Sequence, residues 1–307
     1  WGELRFVLGG ATSINASGSS PGFLRNVDQS GGLEGLATSP VRYETFPLGD
    51  SDGTKRTSGC NYPEIDNPST VHSASAYTPH VAEGIDQAAA NEFACLTRDD
   101  NGGSKVISAN TAVIHGVGLT GEDVGVLASL DAKLIWSPRS NISLYGDTAN
   151  VTLYHRLGIP IALGTDWLPT GSMNIHRELA CAMSFNEDHL DNAFGSQDFW
   201  RMVTIDAASA LGLASKLGSL SSGKVADIAI FASREREPFD AAVRAEAADV
   251  LLVLRGGEAL MGEAAVVGDL RTGCELLSIC GQERRGCVQP EVGVSYATRQ
   301  SSGTYPL

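Results

Sequence analysis

The sequence predicts an α/β protein whose parallel strands close into a barrel, followed by a small β appendage. Three observations predict it. From residue 73 onward, short apolar strand segments alternate with stretches of helical periodicity, an order that implies parallel strands with crossover helices. Polar residues gather where those strands end, namely His80 and Glu83, His115, Ser137 with Asn141, and Asp166. In a parallel barrel the C-terminal strand ends share one rim, so these side chains would converge on one mouth. Finally, the 307 residues can bury a large core, and barrels of about 250 residues commonly form one domain.

The elements follow in order. Residues 11–15 read as a short strand, and 41–46 as another through the extended preference of Val41, Tyr43, Thr45 and Phe46. Residues 49–68 are rich in Gly, Ser, Asp, Asn and Pro with almost no apolar periodicity, which marks a long surface excursion. A strand over 73–80 leads to a helix over 85–96, where Ile85, Ala88, Ala89, Phe93 and Leu96 stand at helical spacing. The next units repeat that order: strand 111–115, helix 122–130, strand 133–136, a loop, helix 151–157 and strand 160–163. Helices over 174–185 and 198–213 close the barrel domain, which takes in residues 1–217. Beyond it the pattern returns to β at 226–231 and 250–254, with a third candidate at 264–267, giving a partial β-sandwich over 218–281. Residues 282–307 are weakly periodic and read as an extension wrapping over the surface.

Composition limits the function. The 42% apolar and 19% charged residues fit a globular protein, and no run of about 18 apolar residues is present to span a bilayer. A balance of 22 basic against 36 acidic residues, net −14, repels phosphate backbones and anionic membrane surfaces. The expected partner is a small-molecule substrate, with no nucleic acid and no membrane span; a homo-oligomer stays open. The six cysteines contain no Cys-x-x-Cys pair, which leaves a zinc ribbon or thioredoxin-type motif without support. Three of them lie between Cys274 and Cys287 among Gly, Arg and Gln, where a loop-closing disulfide is easily placed. That favours a secreted or periplasmic setting over the cytoplasm. Asn15, Asn141 and Asn150 begin Asn-x-Ser/Thr triplets, which occur often by chance. The chain opens at Trp1-Gly-Glu without a charged-then-apolar leader, and the expectation is that its original N-terminus lies upstream.

Several motifs carry chemistry. A neutral imidazole with a carboxylate three residues on, as in His80 and Glu83, suits a mononuclear metal hydrolase in which His holds the metal and Glu shuttles protons. Taken singly, a histidine at a strand end is more often just hydrogen-bonded at the surface. Asp166, after an apolar strand and a Gly-Thr turn, is well placed to bind a metal or orient its water, or else to act as a helix cap or Asx-turn. Gly116, Gly118 and Gly121 form a literal G-x-G-x-x-G, but no acid follows about 20 residues on to hold a ribose. Those glycines fit a tight strand-to-helix turn beside His115 instead. A serine hydrolase keeps little support, although Ser58, Ser137 and Ser172 lie in loops near Gly, Pro or Arg. His176 follows Asp166 closely enough to line the same mouth, as does Trp167.

The order of these pieces is more specific than any one of them. His-x-x-Glu83, Val-Ile-His115-Gly, Ser137-Pro-Arg-Ser-Asn141, Leu-Gly-Thr-Asp166 and Gly218-Ser-Leu-Ser-Ser-Gly-Lys-Val-Ala-Asp227 together resemble the metal-dependent amidohydrolase superfamily, in its cytosine deaminase and chlorohydrolase-like branch. The resemblance covers residues 11–261. It implies a (β/α)8 TIM-like barrel in which His80 binds the metal, Glu83 relays protons, His115 polarises the substrate or joins the metal site, and Asp166 binds the metal and helps activate water. Ser137 and Asn141 would shape the substrate pocket, beside His176 and Trp167. The implied cofactor is one divalent metal, zinc first and iron second. The implied chemistry is attack of metal-activated water on an amide, amidine or aminated ring carbon through a tetrahedral intermediate.

Two departures qualify the resemblance. The family's first strand ends in His-x-His, and no such pair exists in this sequence. Residues 1–15 resemble the segment just after that strand, so the expectation is a barrel lacking its first strand and the first half of its β-sandwich. Members with two metals often bridge them with a modified lysine. The lysine between Val41 and His80 is Lys55, inside the loop-like stretch, which favours the mononuclear type over a dipeptidase-like one. A truncated barrel that binds a ligand or partner without turnover is the rival reading.

Overall fold

The structure, a computed structural model, describes residues 2–16 and 22–297. Trp1 and residues 298–307 of the expected extension lie outside the described residues, as does Ser17 of the Asn15 triplet. The chain divides into two compact units, one of residues 39–172 and 177–218, the other of residues 1–38, 173–176 and 219–307.

The first unit holds a parallel sheet of five strands in sequential order: β1 (Arg42–Glu44), β2 (Tyr77–Val81), β3 (Ala112–His115), β4 (Lys133–Trp136) and β5 (Ile161–Leu163). These are the strands expected at 41–46, 73–80, 111–115, 133–136 and 160–163. Ala112, Val113 and Ile114 are all buried, as expected of a parallel strand covered on both faces. The crossover helices start on side-chain caps that leave the first-turn amides satisfied. Asp86 caps Gln87–Thr97, Thr120 forms a capping box with Asp123 on Gly121–Ser129, and Asn150 caps Val151–Arg156. The 49–68 excursion is irregular up to the short helix Pro68–His72 and is tied to the Gln87–Thr97 helix by a Cys60–Cys95 disulfide.

The segment after Trp136 departs from expectation, for it is a helix, Pro138–Tyr145, rather than a loop. Pro138 at its first position needs no amide partner and sets a helical φ, while Gly146 at φ +68° ends it in the left-handed conformation. The expected helix over 198–213 is two short ones, Ser196–Met202 and Ile205–Ala210, broken where Thr204 adopts φ −128°, ψ −98°.

The second unit holds a five-stranded antiparallel sheet made of Ile228–Phe231, Val250–Arg255, Glu258–Glu263, Gln282–Gly286 and, at the far edge, Glu275–Ile279. Residues 1–38 join this unit and not a 1–217 barrel. Leu4, Phe6, Val7, Phe23 and Leu24 bury their apolar surface in one cluster with Val250, Val253, Leu260 and Met261. The strand expected at 11–15 shrinks to Ser13–Ile14, paired with Arg25–Asn26. Residues 264–267 belong to a helix, Ala264–Leu270, because a strand already ends at Glu263 and two alanines favour helix for the chain that turns away. Gln282–Gly286 is a sheet strand and not a surface wrap. Cys280 and Gly281, both at positive φ, make the two-residue turn that pairs Ile279 with Gln282. The expected disulfide in this region is Cys274–Cys287. The Gly-Lys-x-Ala-Asp motif does structural duty here: Asp227 pairs with the buried Arg25 at 3.1 Å and accepts the Gly256 amide at 2.7 Å.

Candidate metal centre

Two adjacent strand ends and the turn beyond one of them build the site. In β2 and β3, His80 pairs with Ile114 and Val81 with His115, so regular alternation would send the two imidazoles to opposite faces. His115 breaks the alternation by adopting φ +73°, and the rings come to 5.0 Å between centroids. Ala82, just past β2, is likewise left-handed at φ +55°, which turns the chain back before Glu83. Such non-glycine conformations cost about 1–3 kcal/mol each and persist where the surroundings enforce them. One carboxylate oxygen of Glu83 then lies 3.4 Å from His115 Nε2. Donor atoms of His80, Glu83 and His115 all lie within 4.8 Å of one another.

Hydrogen bonds fix which nitrogen each imidazole offers. His80 Nδ1 lies 3.3 Å from the Glu44 carbonyl, which accepts only, so Nδ1 carries the proton and Nε2 the lone pair. His115 Nδ1 lies 2.9 Å from Asn141 Oδ1. The amide is oriented by Thr148 Oγ1, which accepts from Asn141 Nδ2 at 3.1 Å and from Trp136 Nε1 at 2.7 Å. His115 therefore also presents a bare Nε2, which is buried and has no hydrogen-bond partner. Burial pushes the His115 imidazole below its ordinary pKa, and burial followed by the neighbouring His115 does the same to His80. Burial raises the Glu83 carboxyl, partly offset by His80 and by the Tyr145 hydroxyl, which donates to Oε1 at 3.1 Å. Two imidazole lone pairs beside a carboxylate are a donor set that fits a divalent metal.

The other expected residues are placed as follows. Asp166 sits just past β5 at φ +51° and accepts its neighbour's amide, from Trp167, at 2.8 Å. It stands outside the tight trio, but its negative charge acts on His80, Glu83 and His115. Asn141 is the orienting partner of His115, and Ser137 is buried at the end of β4. Trp167 is 60% exposed, its indole donating to Thr170 Oγ1 at 2.7 Å. His176 belongs to the antiparallel-sheet unit, where its Nε2 lies 3.2 Å from the Ala242 carbonyl and its ring packs edge-on against Phe231. Tyr145 and Thr148 went unread in the sequence. The signal for Tyr145 was available, since a helix started by Pro138 puts Asn141 and Tyr145 on one face, four residues apart. The glycine motif is explained by crowding, because a Cβ on Gly118 would come within 2.8 Å of the Gly84 carbonyl.

Imidazoles and a carboxylate converging at the C-terminal ends of parallel strands define a metal-binding α/β protein of the barrel class. The chain belongs to the amidohydrolase family, whose sequence profile matches residues 64–272. It is 33% identical over 121 residues to a 5-methylthioadenosine/S-adenosylhomocysteine deaminase of Teredinibacter turnerae, a match covering 38% of this chain and 27% of that one. It is 29% identical over 174 residues to a 5'-deoxyadenosine deaminase of Methanothermobacter thermautotrophicus, covering 53% of this chain and 40% of the relative. The chain thus spans less than half the length of these relatives. In fold it is similar to a mutant atrazine chlorohydrolase of Arthrobacter aurescens complexed with zinc and atraton, with a TM-score of 0.57, 16% identity, and coverage of 83% of this chain and 69% of that one. The fold is accordingly TIM-barrel-like.

Proposed function

We propose that this chain carries the catalytic centre of a metal-dependent hydrolase of non-peptide C–N bonds, of the deaminase type, acting on a small cyclic or amide substrate. The observation that carries it is the buried, unpartnered Nε2 of His115 facing Glu83 beside His80. The deaminase names of the two relatives support an aminated ring as the group attacked.

His80 and His115 would hold the cation through Nε2, with Asp166 completing its acidic side. Zinc is the metal proposed, since imidazole donors suit it and the atrazine chlorohydrolase carries it. When bound, the cation supplies Lewis acidity and brings the pKa of a water to about 7. Glu83 does the proton work. Its Oε1 is anchored by Tyr145 while Oε2 faces the site, and its raised pKa lets it take a proton from the attacking water and return it to the departing amine. Asn141 holds the His115 tautomer, Ser137 lines the pocket floor, and Trp167 offers an apolar wall to the substrate ring. The sequence holds no His-x-His pair, so ligands of that kind would have to come from outside these 307 residues. The two disulfides support an oxidising, secreted or periplasmic setting.

The test is turnover of 5'-deoxyadenosine and related aminated rings by the zinc-loaded protein. Glu83→Gln should lower kcat by about 10²–10⁴-fold, and His80→Ala and Asp166→Ala should abolish measurable turnover. Activity that survives the last two changes would sink the proposal in favour of a barrel that binds without turnover.

A further inference from the structure

We infer that Glu92 is a positioning residue for Glu83: its carboxylate, acting through the Ala82 amide, locks the left-handed turn that brings Glu83 to the site. Ala82 lies between His80 and Glu83, is fully buried, and stands at φ +55°. An alanine has no intrinsic preference for that conformation, so something outside it must hold it. Three bonds do so. The Ala82 amide donates to Glu92 Oε2 at 2.9 Å, the Ala82 carbonyl accepts from the Gly118 amide at 3.0 Å, and the Val81 carbonyl accepts from the Gly116 amide at 3.1 Å. The first is the side-chain member of the set, and it is charge-assisted when the carboxylate is ionised.

Glu92 is an odd residue for its place. It belongs to the Gln87–Thr97 helix, whose Ala88, Ala89, Phe93 and Leu96 are buried. Burial pushes its carboxyl up to about 7 and the acids Asp50, Glu83 and Asp86 push the same way, while the bond from the Ala82 amide pulls against them. What the position does supply is an acceptor for an amide that sits away from water, four residues before the helix-capping Asp86. The helix thereby reads out its own placement to the site: a shift of the Gln87–Thr97 helix moves Glu83.

The inference rests on Glu83 being the proton carrier, and the experiment separates the two. Glu92→Gln keeps an oxygen acceptor for the Ala82 amide, whereas Glu92→Ala removes it. Amide hydrogen exchange of the peptide spanning residues 80–84 is compared in the parent and both variants, without metal. Turnover of 5'-deoxyadenosine by the zinc-loaded forms is measured alongside. Glu92→Ala should raise exchange at Ala82 by about tenfold or more while Glu92→Gln stays near the parent. Turnover by Glu92→Ala should fall by about 10²-fold in kcat with KM little changed, and Glu92→Gln should rescue most of it. Unchanged exchange in Glu92→Ala, or Gln behaving as Ala does, overturns the inference. So does faster exchange with kcat intact. If Glu92→Ala proves too unstable to compare, exchange in Glu92→Gln decides: parent-like protection upholds the bond and lost protection overturns it. A parent with no turnover but with the expected exchange pattern would count against the proposed reaction and not against the role of Glu92 in the turn.

Discussion

His115 is held at both ends. Its backbone is left-handed at φ +73°, and its Nδ1 is fixed by Asn141, itself oriented by Thr148. A ring so constrained offers Nε2 in one direction, with little rearrangement needed to bind a cation. Partners of that kind typically change metal affinity by 10–100-fold when removed. Asn141→Leu, which keeps the branched shape but removes the acceptor, should therefore weaken zinc by about 10–100-fold in a competition titration. Affinity equal to the parent would mean that the His115 tautomer is set by something other than Asn141. At this scale the sequence was informative because strand-end histidines and acids are few: His80, Glu83, His115 and Asp166 could all be named. Their partners could not. Glu44 acts through its backbone carbonyl, which any residue type provides, and Thr148 lies among loop residues that carry no periodic signal.

Among the elements, the Pro138–Tyr145 helix matters most. It brings Asn141 to His115 and Tyr145 to Glu83 from one face, and its start is satisfied from elsewhere in the chain. Ser137 makes no capping bond with its side chain. Instead Glu178, fully buried on the Ile175–His189 helix, accepts the Arg139 amide at 3.0 Å. A carboxylate beside a helix N-terminus also suits the helix dipole. Removing it leaves a buried amide unpaired, so Glu178→Ala should lose about 1–3 kcal/mol in chemical denaturation, while Glu178→Gln, which retains an acceptor, should lose clearly less. Equal losses would show that the acceptor is not what matters. This helix is where the sequence was misread. Ser-Pro-Arg-Ser-Asn looks like loop composition, and only the meaning of proline at a first helical position reverses that reading. Glu92 and Glu178 were passed over for a related reason: an acid in a helix is ordinarily taken for a solvated face, and tertiary burial alone makes these two different.

For the molecule as a whole, the order of strands in the sequence is the order of strands in the parallel sheet, so the strand ends line up as the sequence implied. That regularity made the five barrel strands legible. The antiparallel unit was less so, because its turns are made by Gly256-Gly257 and Cys280-Gly281, and its core draws on Leu4, Phe6, Val7, Phe23 and Leu24 together with residues between 250 and 261, a pairing that no local pattern announces. Among the described residues no helix is long and apolar enough to cross a membrane. One divalent cation is proposed to be held by His80 and His115, with Glu83 beside it as the proton carrier. The most direct measurement is metal content of the chelator-stripped protein after zinc reconstitution and desalting, read with its thermal midpoint. About one zinc per chain is expected, as for a mononuclear site, with a raised Tm. The gain in Tm should fade on acidification as protons compete for the imidazoles, at a pH below the ~6.5 of free histidine, because burial depresses both His80 and His115. Zinc well below one per chain, or zinc retained in full by a His80→Ala, His115→Ala double variant, would contradict this placement of the cation.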